Sequence, residues 1–296
     1  MTDAQLTHAP GAIDLSARAK LNLYLHVLGR QGDGYHELDS LVAFAAFGDR
    51  LSLAPADKLT LEVEGPFADS LAGDSDNLVL KAASLLRTRF NTTRGARIRL
   101  EKRIPLAAGL GGGSADAAAA LQGLARLWEL SARAEDLAAL GLELGADVPV
   151  CLAGRPAFVG GIGERLDRAS PLPEAGLVLV NPRIPLSTPA VFAAREGQFS
   201  ASARWTRRVP DPGALARLLA DRRNDLTRPA LALAPEIGDV LAALTALPGV
   251  LLARMSGSGA TCFGLTHGRT EAEAAAEALR MEQPGWWVMA SWLDGV

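Results

Sequence analysis

The sequence predicts an α+β protein of two domains, and three observations lead to that prediction. The chain has 296 residues, enough for one large domain or two ordinary ones. Segments with a period of two occur among segments of helical spacing, without a regular βαβ repeat. Pro171 and Pro173 indicate a linker near 165–175. We therefore expect domains at 1–168 and 169–296.

Composition excludes several classes of protein. Hydrophobic residues make up 49% and charged residues 21%, which is typical of a folded globular chain rather than a disordered one. A net charge of -3 gives no sign of a nucleic-acid partner or of an anionic membrane. Cys151 and Cys262 are too few for a disulfide framework or a Cys-based zinc site. With neither a signal-peptide pattern nor an apolar run of spanning length, we expect a cytoplasmic protein.

The first half of the chain combines four predicted strands with three predicted helices. The strands alternate apolar and polar residues or run mostly apolar, and the helices repeat apolar residues every three or four positions. The predicted strands are 15–29, 38–53, 59–64 and 96–101, and the predicted helices are 77–90, 114–130 and 134–144.

The second half follows the same mixed pattern. Three prolines predict an irregular segment at 182–189. The predicted strands are 176–180, 250–254, 260–265 and 286–292, and the predicted helices are 212–222, 235–246 and 270–281.

A glycine-rich loop joins the predicted strand at 96–101 to the helix at 114–130. Glycines without a Cβ let backbone amides approach an anion, and a helix N-terminus adds free N–H groups and a favourable dipole. A tight turn with Ser114 as helix N-cap is the alternative, but four glycines within 109–113 exceed what a cap needs. We therefore expect phosphate binding here. The loop consists of Pro105, Leu106, Ala107, Ala108, Gly109, Leu110, Gly111, Gly112, Gly113, Ser114 and Ala115.

This loop matches none of three common glycine motifs. No Lys-Ser/Thr pair follows a glycine at the Walker A spacing, and the third position of G-x-G-x-x-G is Ser114. Asp116 stands where a nucleophile elbow requires glycine. A second motif at 254–262, Arg-Met-Ser-Gly-Ser-Gly-Ala-Thr-Cys, fits a Ser/Gly turn about as well as a ligand loop.

Four sequence blocks occur in an order that resembles the GHMP small-molecule kinases. They are Ala-Lys-Leu-Asn-Leu at 19–23 with Asp-Gly-Tyr-His at 33–36, the loop at 105–115, Gly-Ala-Asp-Val-Pro at 145–149 and Ser-Gly-Ser-Gly-Ala at 256–260. The resemblance covers about 17–265. It implies an N-terminal domain like domain 2 of ribosomal protein S5, a ferredoxin-like C-terminal domain, and an active site in the cleft between them.

The resemblance also implies a reaction. ATP would lie along 105–115, with Mg²⁺ held mainly by the nucleotide and no metal-ligand cluster in the protein. Within the family, Lys-Leu-Asn-Leu at 20–23 followed by Asp-Gly-Tyr-His at 33–36 resembles the members that phosphorylate the 2-hydroxyl of 4-diphosphocytidyl-2-C-methyl-D-erythritol, in the non-mevalonate route to isoprenoid precursors. Ala115 departs from the family pattern, which usually has a second serine there. No nucleic-acid or membrane partner is implied, and we expect a monomer or a weak dimer.

Lys20 and Asp147 match the catalytic pair of the family. Phosphoryl transfer to an alcohol needs a group that accepts the hydroxyl proton, which suits Asp147. It also needs positive charge near the hydroxyl, which suits the ammonium of Lys20. By strand alternation Asn22 lies on the face of Lys20. The alternatives are a solvated strand lysine and, for Asp147, a helix N-cap before Val148.

The resemblance assigns further residues to the two ligands. Tyr35 and His36 would bind the cytidine end by stacking and hydrogen bonding, and a packed turn tyrosine with a solvated histidine is the alternative. Ser256 and Gly257 would also bind the substrate. Asn77 and Lys102 fall where the family contacts adenosine, although Asn77 also suits the N-cap of the following helix.

Two other functions compete with this interpretation. One is a GHMP kinase for a different small alcohol, against which the block at 33–36 argues. The other is a nucleotide-binding regulatory protein on the same fold that has lost catalysis. The presence of both Lys20 and Asp147 argues against that loss.

Overall fold

The computed structural model describes residues 11–32, 34–71 and 76–293. Asp33 of the Asp-Gly-Tyr-His block therefore lies outside the described residues. Two long strands, β1 Ile13–Arg30 and β2 His36–Ala56, confirm the two strands predicted first in the chain. Their centres are almost continuously buried because both faces of each strand are covered.

The described residues form two compact units. The first unit comprises the described residues up to Ala17, together with Asp49–Arg103 and Gly113–Leu152. The second comprises Arg18–Gly48, Ile104–Gly112 and the described residues from Ala153 onward. Both β1 and β2 contribute residues to each unit. The predicted division after residue 168 stays a prediction.

The first unit packs helices against one face of a small sheet. Strand β3 (Leu59–Glu64) pairs in parallel with β4 (Gly95–Glu101), and β4 pairs antiparallel with Arg50–Ala56 of β2. Apolar residues of both layers meet in one core, among them Leu53, Ile98 and Leu121. The elements are β3 Leu59–Glu64, α1 Leu78–Phe90, β4 Gly95–Glu101, α2 Gly112–Leu127, α3 Ala134–Leu144 and α4 Val148–Ala153, with a 3-10 turn at Asp69–Leu71.

Alanine and glycine let helix α2 approach the sheet closely. A Cβ added at Gly123 would lie 2.2 Å from Leu53 Cδ1 and 2.5 Å from Leu15 Cδ1. The alanine-rich stretch at 117–120 is buried along its whole length. The small side chains therefore set the helix-to-sheet distance and place the N-terminal turn of α2.

The second unit contains an antiparallel ladder and a separate four-stranded antiparallel sheet. Residues Leu38–Val42 of β2 pair with β5 (Ala157–Gly161), which pairs with β6 (Arg165–Arg168). The four-stranded sheet has the order β10-β7-β9-β8. Its strands are β7 Gly176–Asn181, β8 Val250–Met255, β9 Cys262–Thr266 and β10 Trp287–Trp292, and the ladder strands are β5 Ala157–Gly161 and β6 Arg165–Arg168.

Among the described residues, five helices belong to the second unit, and two of them, α8 (Glu236–Ala246) and α9 (Arg269–Glu282), pack on the four-stranded sheet. This α+β arrangement agrees with the ferredoxin-like domain implied by the resemblance. The helices are α5 Thr188–Ala193, α6 Pro212–Ala220, α7 Thr227–Leu233, α8 Glu236–Ala246 and α9 Arg269–Glu282.

Two predictions about local structure were wrong. Residues 165–168 form strand β6 rather than part of a linker, because their backbone pairs with β5 although the sequence Arg-Leu-Asp-Arg has little apolar character. Helix α5 begins within the segment expected to be irregular. Its Pro189 occupies the first turn, where a missing N–H leaves no hydrogen bond unmade.

No helix among residues 11–32, 34–71 and 76–293 has the length and apolar character needed to cross a bilayer.

Candidate active site

Lys20 and Asn22 lie on the same face of β1, as the alternation predicts. Lys20 Nζ donates to Asn22 Oδ1 at 2.9 Å, and Asn22 Nδ2 donates to Ser40 Oγ at 2.8 Å. Both side chains are 5% exposed. Lys20 is therefore not a solvated strand lysine, and its ammonium is oriented by a hydrogen-bonded amide in the second unit.

The glycine-rich loop runs directly against Lys20. Lys20 N donates to Leu110 O at 2.9 Å, which fixes the loop backbone to β1. Gly111 has a φ of +62°, and a Cβ added there would lie 2.6 Å from Lys20 Cγ. Glycine is required at this position both for the backbone conformation and for the space that the lysine occupies.

Residues 255–261, here called the Ser-Gly segment, contact the same loop. The Ser256 hydroxyl donates to Gly109 O at 3.0 Å and accepts from Asn22 N at 3.1 Å. Thr261 N donates to Ala108 O at 3.1 Å. A Cβ added at Gly109 would lie 2.4 Å from Ser256 O. The Ser-Gly segment is thus more than a hairpin turn, since it supports the loop and β1 together.

Asn224, which the sequence did not single out, holds the Ser-Gly segment in turn. Its Nδ2 donates to Met255 O at 2.9 Å and to Gly257 O at 2.7 Å. The only signal in the sequence is an Asn-Asp pair, typical of a turn, after Arg223. The carbonyls that it binds lie 31 and 33 residues further along the chain.

The rest of the loop and Asp147 belong to the first unit. Helix α2 begins at Gly112, so Ser114 lies in its first turn rather than at the N-cap. Ala115 is buried in the core of that unit. Asp147 is half-buried and directly precedes α4, where Cys151 N donates to its carbonyl at 3.2 Å. The pairing of Asp147 with Lys20 in catalysis stays a prediction.

Asn77 and Lys102 have structural roles in the first unit. Asn77 Oδ1 accepts from Val79 N at 2.9 Å, which makes Asn77 the N-cap of α1. Lys102 Nζ donates to Asp49 Oδ2 at 2.5 Å and to Asp116 Oδ2 at 2.7 Å. Two carboxylates already bind this ammonium, and these contacts do not support the predicted contact of Lys102 with adenosine. That contact stays a prediction.

The buried cluster of Lys102, Asp49 and Asp116 shifts the ionisation of its members. Burial raises the pKa of Asp116 to about 7 against the attraction of Lys102, and the Asp49 carboxylate adds to the rise. Burial acts to lower the pKa of Lys102, but Asp116 and Asp49 together raise it above its usual value. Asp116 Oδ1 is buried without a hydrogen-bond partner among the described residues. The cluster therefore keeps Lys102 charged and favours the protonated form of Asp116.

Tyr35 and His36 differ in their surroundings. Tyr35 is 60% exposed. His36 stacks on Phe192, with ring centroids 5.1 Å apart and an interplanar angle of 27°. Partial burial, with the Arg30 and Arg195 guanidinium groups nearby, holds the pKa of His36 below its usual value. The imidazole is thus neutral at pH 7 and has one donor and one acceptor nitrogen.

Within the part of the chain that the structure describes, no group of three or more His, Cys, Asp or Glu side chains could hold a metal ion. At the loop, the side-chain oxygen of Ser114 and the backbone amides suit a phosphate chain. This donor set fits a Mg²⁺ ion bound to a nucleotide and its own waters.

Two family models match the chain. The model for the N-terminal domain of GHMP kinases matches residues 77–155, and the model for the C-terminal domain matches residues 202–283.

Relatives at high identity extend over nearly the whole chain. A 4-diphosphocytidyl-2-C-methyl-D-erythritol kinase of Paramagnetospirillum magneticum is 55% identical over 277 residues, covering 94% of this chain and 97% of the relative. The enzyme of the same name from Rhodospirillum rubrum is 50% identical, covering 95% of this chain and 92% of the relative.

Solved structures give the same result for the fold. A crystal structure of 4-(cytidine 5'-diphospho)-2C-methyl-D-erythritol kinase matches with a TM-score of 0.80 and 38% identity, covering 96% of this chain and all of that one. Homoserine kinase from Cytophaga hutchinsonii matches with a TM-score of 0.74 at 18% identity, covering 99% and 98% of the two chains. At that identity the second match shows the fold alone.

Proposed function

The chain belongs to the GHMP kinase family, and from this membership we propose that it phosphorylates 4-diphosphocytidyl-2-C-methyl-D-erythritol on its 2-hydroxyl with ATP. Near-full-length similarity to enzymes named for this substrate supports the proposal. The observation that carries it is the arrangement in the second unit, where Lys20, Asn22 and the glycine-rich loop lie in direct contact.

The loop supplies the phosphate site in this proposal. Its amides, free of side-chain obstruction at the glycines, bind the phosphate oxygens, and the N-terminal turn of α2 adds its dipole. Ser114 adds a hydroxyl, while Ala115 adds none. When bound with ATP, Mg²⁺ neutralises charge on the phosphate oxygens.

Lys20 and Asp147 act at the acceptor hydroxyl. The ammonium of Lys20, oriented by Asn22, holds the 2-hydroxyl oxygen and favours its deprotonation. That oxygen attacks the γ-phosphorus, the bond from the γ-phosphorus to the β,γ-bridging oxygen breaks, and ADP leaves. Asp147 takes the hydroxyl proton, so charge and atoms balance.

The cytidine end of the substrate binds at Tyr35 and His36. The exposed ring of Tyr35 offers a stacking surface, and the neutral imidazole of His36 offers hydrogen bonds to the edge of the base. Phe192, stacked on His36, fixes the orientation of that imidazole. We place the reaction in the cytoplasm and expect the chain to act as a monomer or a weak dimer.

The test is incubation with ATP, Mg²⁺ and the cytidyl substrate, with ADP formation and ³¹P NMR of the product as readouts. We expect stoichiometric ADP and a new phosphomonoester at the 2-position. Homoserine and mevalonate serve as competing acceptors. Faster transfer to either of them, or ATP binding without transfer to any alcohol, contradicts the proposal.

A further inference from the structure

One buried asparagine determines the conformation of the Ser-Gly segment. Asn224 is 5% exposed, and its amide nitrogen donates to the carbonyls of Met255 and Gly257. Its Oδ1 accepts from Leu226 N at 2.9 Å. Three of the four hydrogen-bonding positions of the side chain are therefore used, which defines its orientation.

The carbonyls bound by Asn224 lie on either side of Ser256. The Ser256 hydroxyl connects the amide of Asn22 to the carbonyl of Gly109. Gly257 has a φ of +56°, and a Cβ there would lie 3.0 Å from Gly109 O and 3.3 Å from Asn22 Oδ1. Packing this tight transmits a displacement of the Ser-Gly segment to both the loop and β1.

Asn224 is itself attached to the strand that carries Lys20. Leu25 N donates to Arg223 O at 3.0 Å and Asp225 N donates to Leu25 O at 2.8 Å, so backbone hydrogen bonds to β1 lie on both sides of Asn224. Asn224 therefore links the Ser-Gly segment to β1 and fixes the position of one relative to the other.

We propose that Asn224 is a positioning residue for phosphoryl transfer, which fixes the glycine-rich loop relative to Lys20 through the carbonyls of Met255 and Gly257. The inference rests on the proposed function. Asn224 donates to neither ligand in this scheme, and it acts only through the backbone of the Ser-Gly segment. Its loss should therefore lower kcat more than it changes KM, because the reacting groups are misplaced rather than removed.

The variant Asn224→Asp keeps the volume and removes both donors. An ionised carboxylate would face two carbonyl oxygens, which raises the pKa of the new acid, while the Leu226 N–H that donates to Oδ1 acts in the opposite direction. At pH 8 we expect kcat to fall about 100-fold. As the pH falls to 6, the protonated acid regains one donor, and kcat relative to the wild-type protein should rise about fivefold or more.

Asn224→Ala has no donor at any pH, so its kcat relative to wild type should stay low and independent of pH. Asp211→Ala is the matched control. Asp211 is the N-cap of α6, where its Oδ1 accepts from Ala214 N. This variant therefore also removes a polar side chain that holds backbone, but at α6 rather than at the Ser-Gly segment. If Asn224→Ala does not fold, Asn224→Asp alone tests the inference. Its kcat relative to wild type is compared at pH 8 and pH 6, so no second variant is needed.

Hydrogen exchange provides a readout that does not require activity. The amides of Asn22 and Ser256 should exchange about tenfold faster in Asn224→Asp than in the wild-type protein at pH 8, with β10 still protected. Unchanged exchange at both amides, a kcat within twofold of the Asp211→Ala control, or a pH-independent kcat ratio for Asn224→Asp would overturn the inference. A wild-type protein without transferase activity contradicts the proposed function instead, and the exchange result still decides the role of Asn224.

Discussion

The side chain of Lys20 occupies the space that a Cβ at Gly111 would need. The aliphatic part of Lys20 passes where a Cβ of residue 111 would lie, at 2.6 Å from Cγ and 3.0 Å from Cε. Lys20 can therefore take this position only because residue 111 has no side chain. A shift of the lysine stem would disturb the hydrogen bond from its ammonium to Asn22.

Gly111→Ala should displace the Lys20 ammonium. The positive φ at position 111 adds backbone strain to the steric conflict. We expect kcat to fall about 100-fold, as for a misplacement of about 1 Å, with a loss of about 1–2 kcal/mol in the free energy of unfolding.

Gly285→Ala is the control for that experiment, because a Cβ at Gly285 meets no atom within 4 Å and its φ is not positive. It should leave kcat unchanged. Wild-type kcat in Gly111→Ala would mean that the loop and the lysine stem can move apart without affecting the reaction.

The Asp116 carboxyl makes the stability of the protein depend on pH near neutrality. Its pKa is about 7 in the folded protein and 3.8 as the ordinary value, so the folded state binds the extra proton. Folding stability from this group is complete at low pH and is lost as the pH rises through 7. We expect the free energy of unfolding to fall by about 1.4 kcal/mol between pH 6 and pH 8.

Urea denaturation at the two pH values measures this decrease, and Asp116→Asn should remove it. Lys102 stays protonated throughout that range because its pKa lies above the usual lysine value. Equal slopes for the wild-type protein and the variant would show that another group is responsible.

His36→Ala should affect one ligand only. A neutral imidazole at the cytidine end binds the base and has no contact with ATP in the proposed arrangement. We expect KM for the cytidyl substrate to rise about tenfold, the loss of one or two hydrogen bonds, with KM for ATP unchanged. Steady-state kinetics with the cytidyl substrate and ATP varied in turn gives the two KM values. Equal increases in both KM values would refute the assignment of His36 to the cytidine end.

Asp147→Asn should strongly lower turnover while the fold persists. The amide cannot accept the hydroxyl proton, although it keeps the size of the side chain and its capacity for hydrogen bonds. We expect kcat to fall by about 100-fold or more, with the melting temperature nearly unchanged. Glu143→Gln, a change to an exposed carboxylate on α3, is the control for loss of charge. Near-normal turnover in Asp147→Asn would remove this residue from the mechanism.

The features that depend on local periodicity could be predicted from sequence. Strand alternation alone places Lys20 and Asn22 on one face of β1, and the bounds of β3 and α3 follow from apolar spacing. The cap at Asn77 follows from its position before an apolar helix. These features require no knowledge of which segments meet in space.

Features that depend on contacts between distant segments could not be predicted. Asn224 is important because its turn meets the Ser-Gly segment, and Phe192 because its helix meets His36, 156 residues earlier in the chain. The ion pair of Lys102 with Asp49 could not be predicted for the same reason, since the two residues lie 53 positions apart in the chain. In the sequence, a lysine that forms a buried ion cluster has the same residue type and the same local spacing as a lysine that binds a ligand. The two roles therefore cannot be distinguished before the distant partners are known.

The course of β1 and β2 through both units has a consequence for how the chain can be divided. Each strand passes from one unit to the other within its length, near residues 17 and 48, so each unit is assembled from separated stretches of sequence. During synthesis, the backbone partners of Leu25 at residues 223 and 225 emerge about 200 residues later. A fragment ending at residue 168 would therefore contain strand β1 without those partners. The two units should therefore be expressed and engineered together, on one continuous chain.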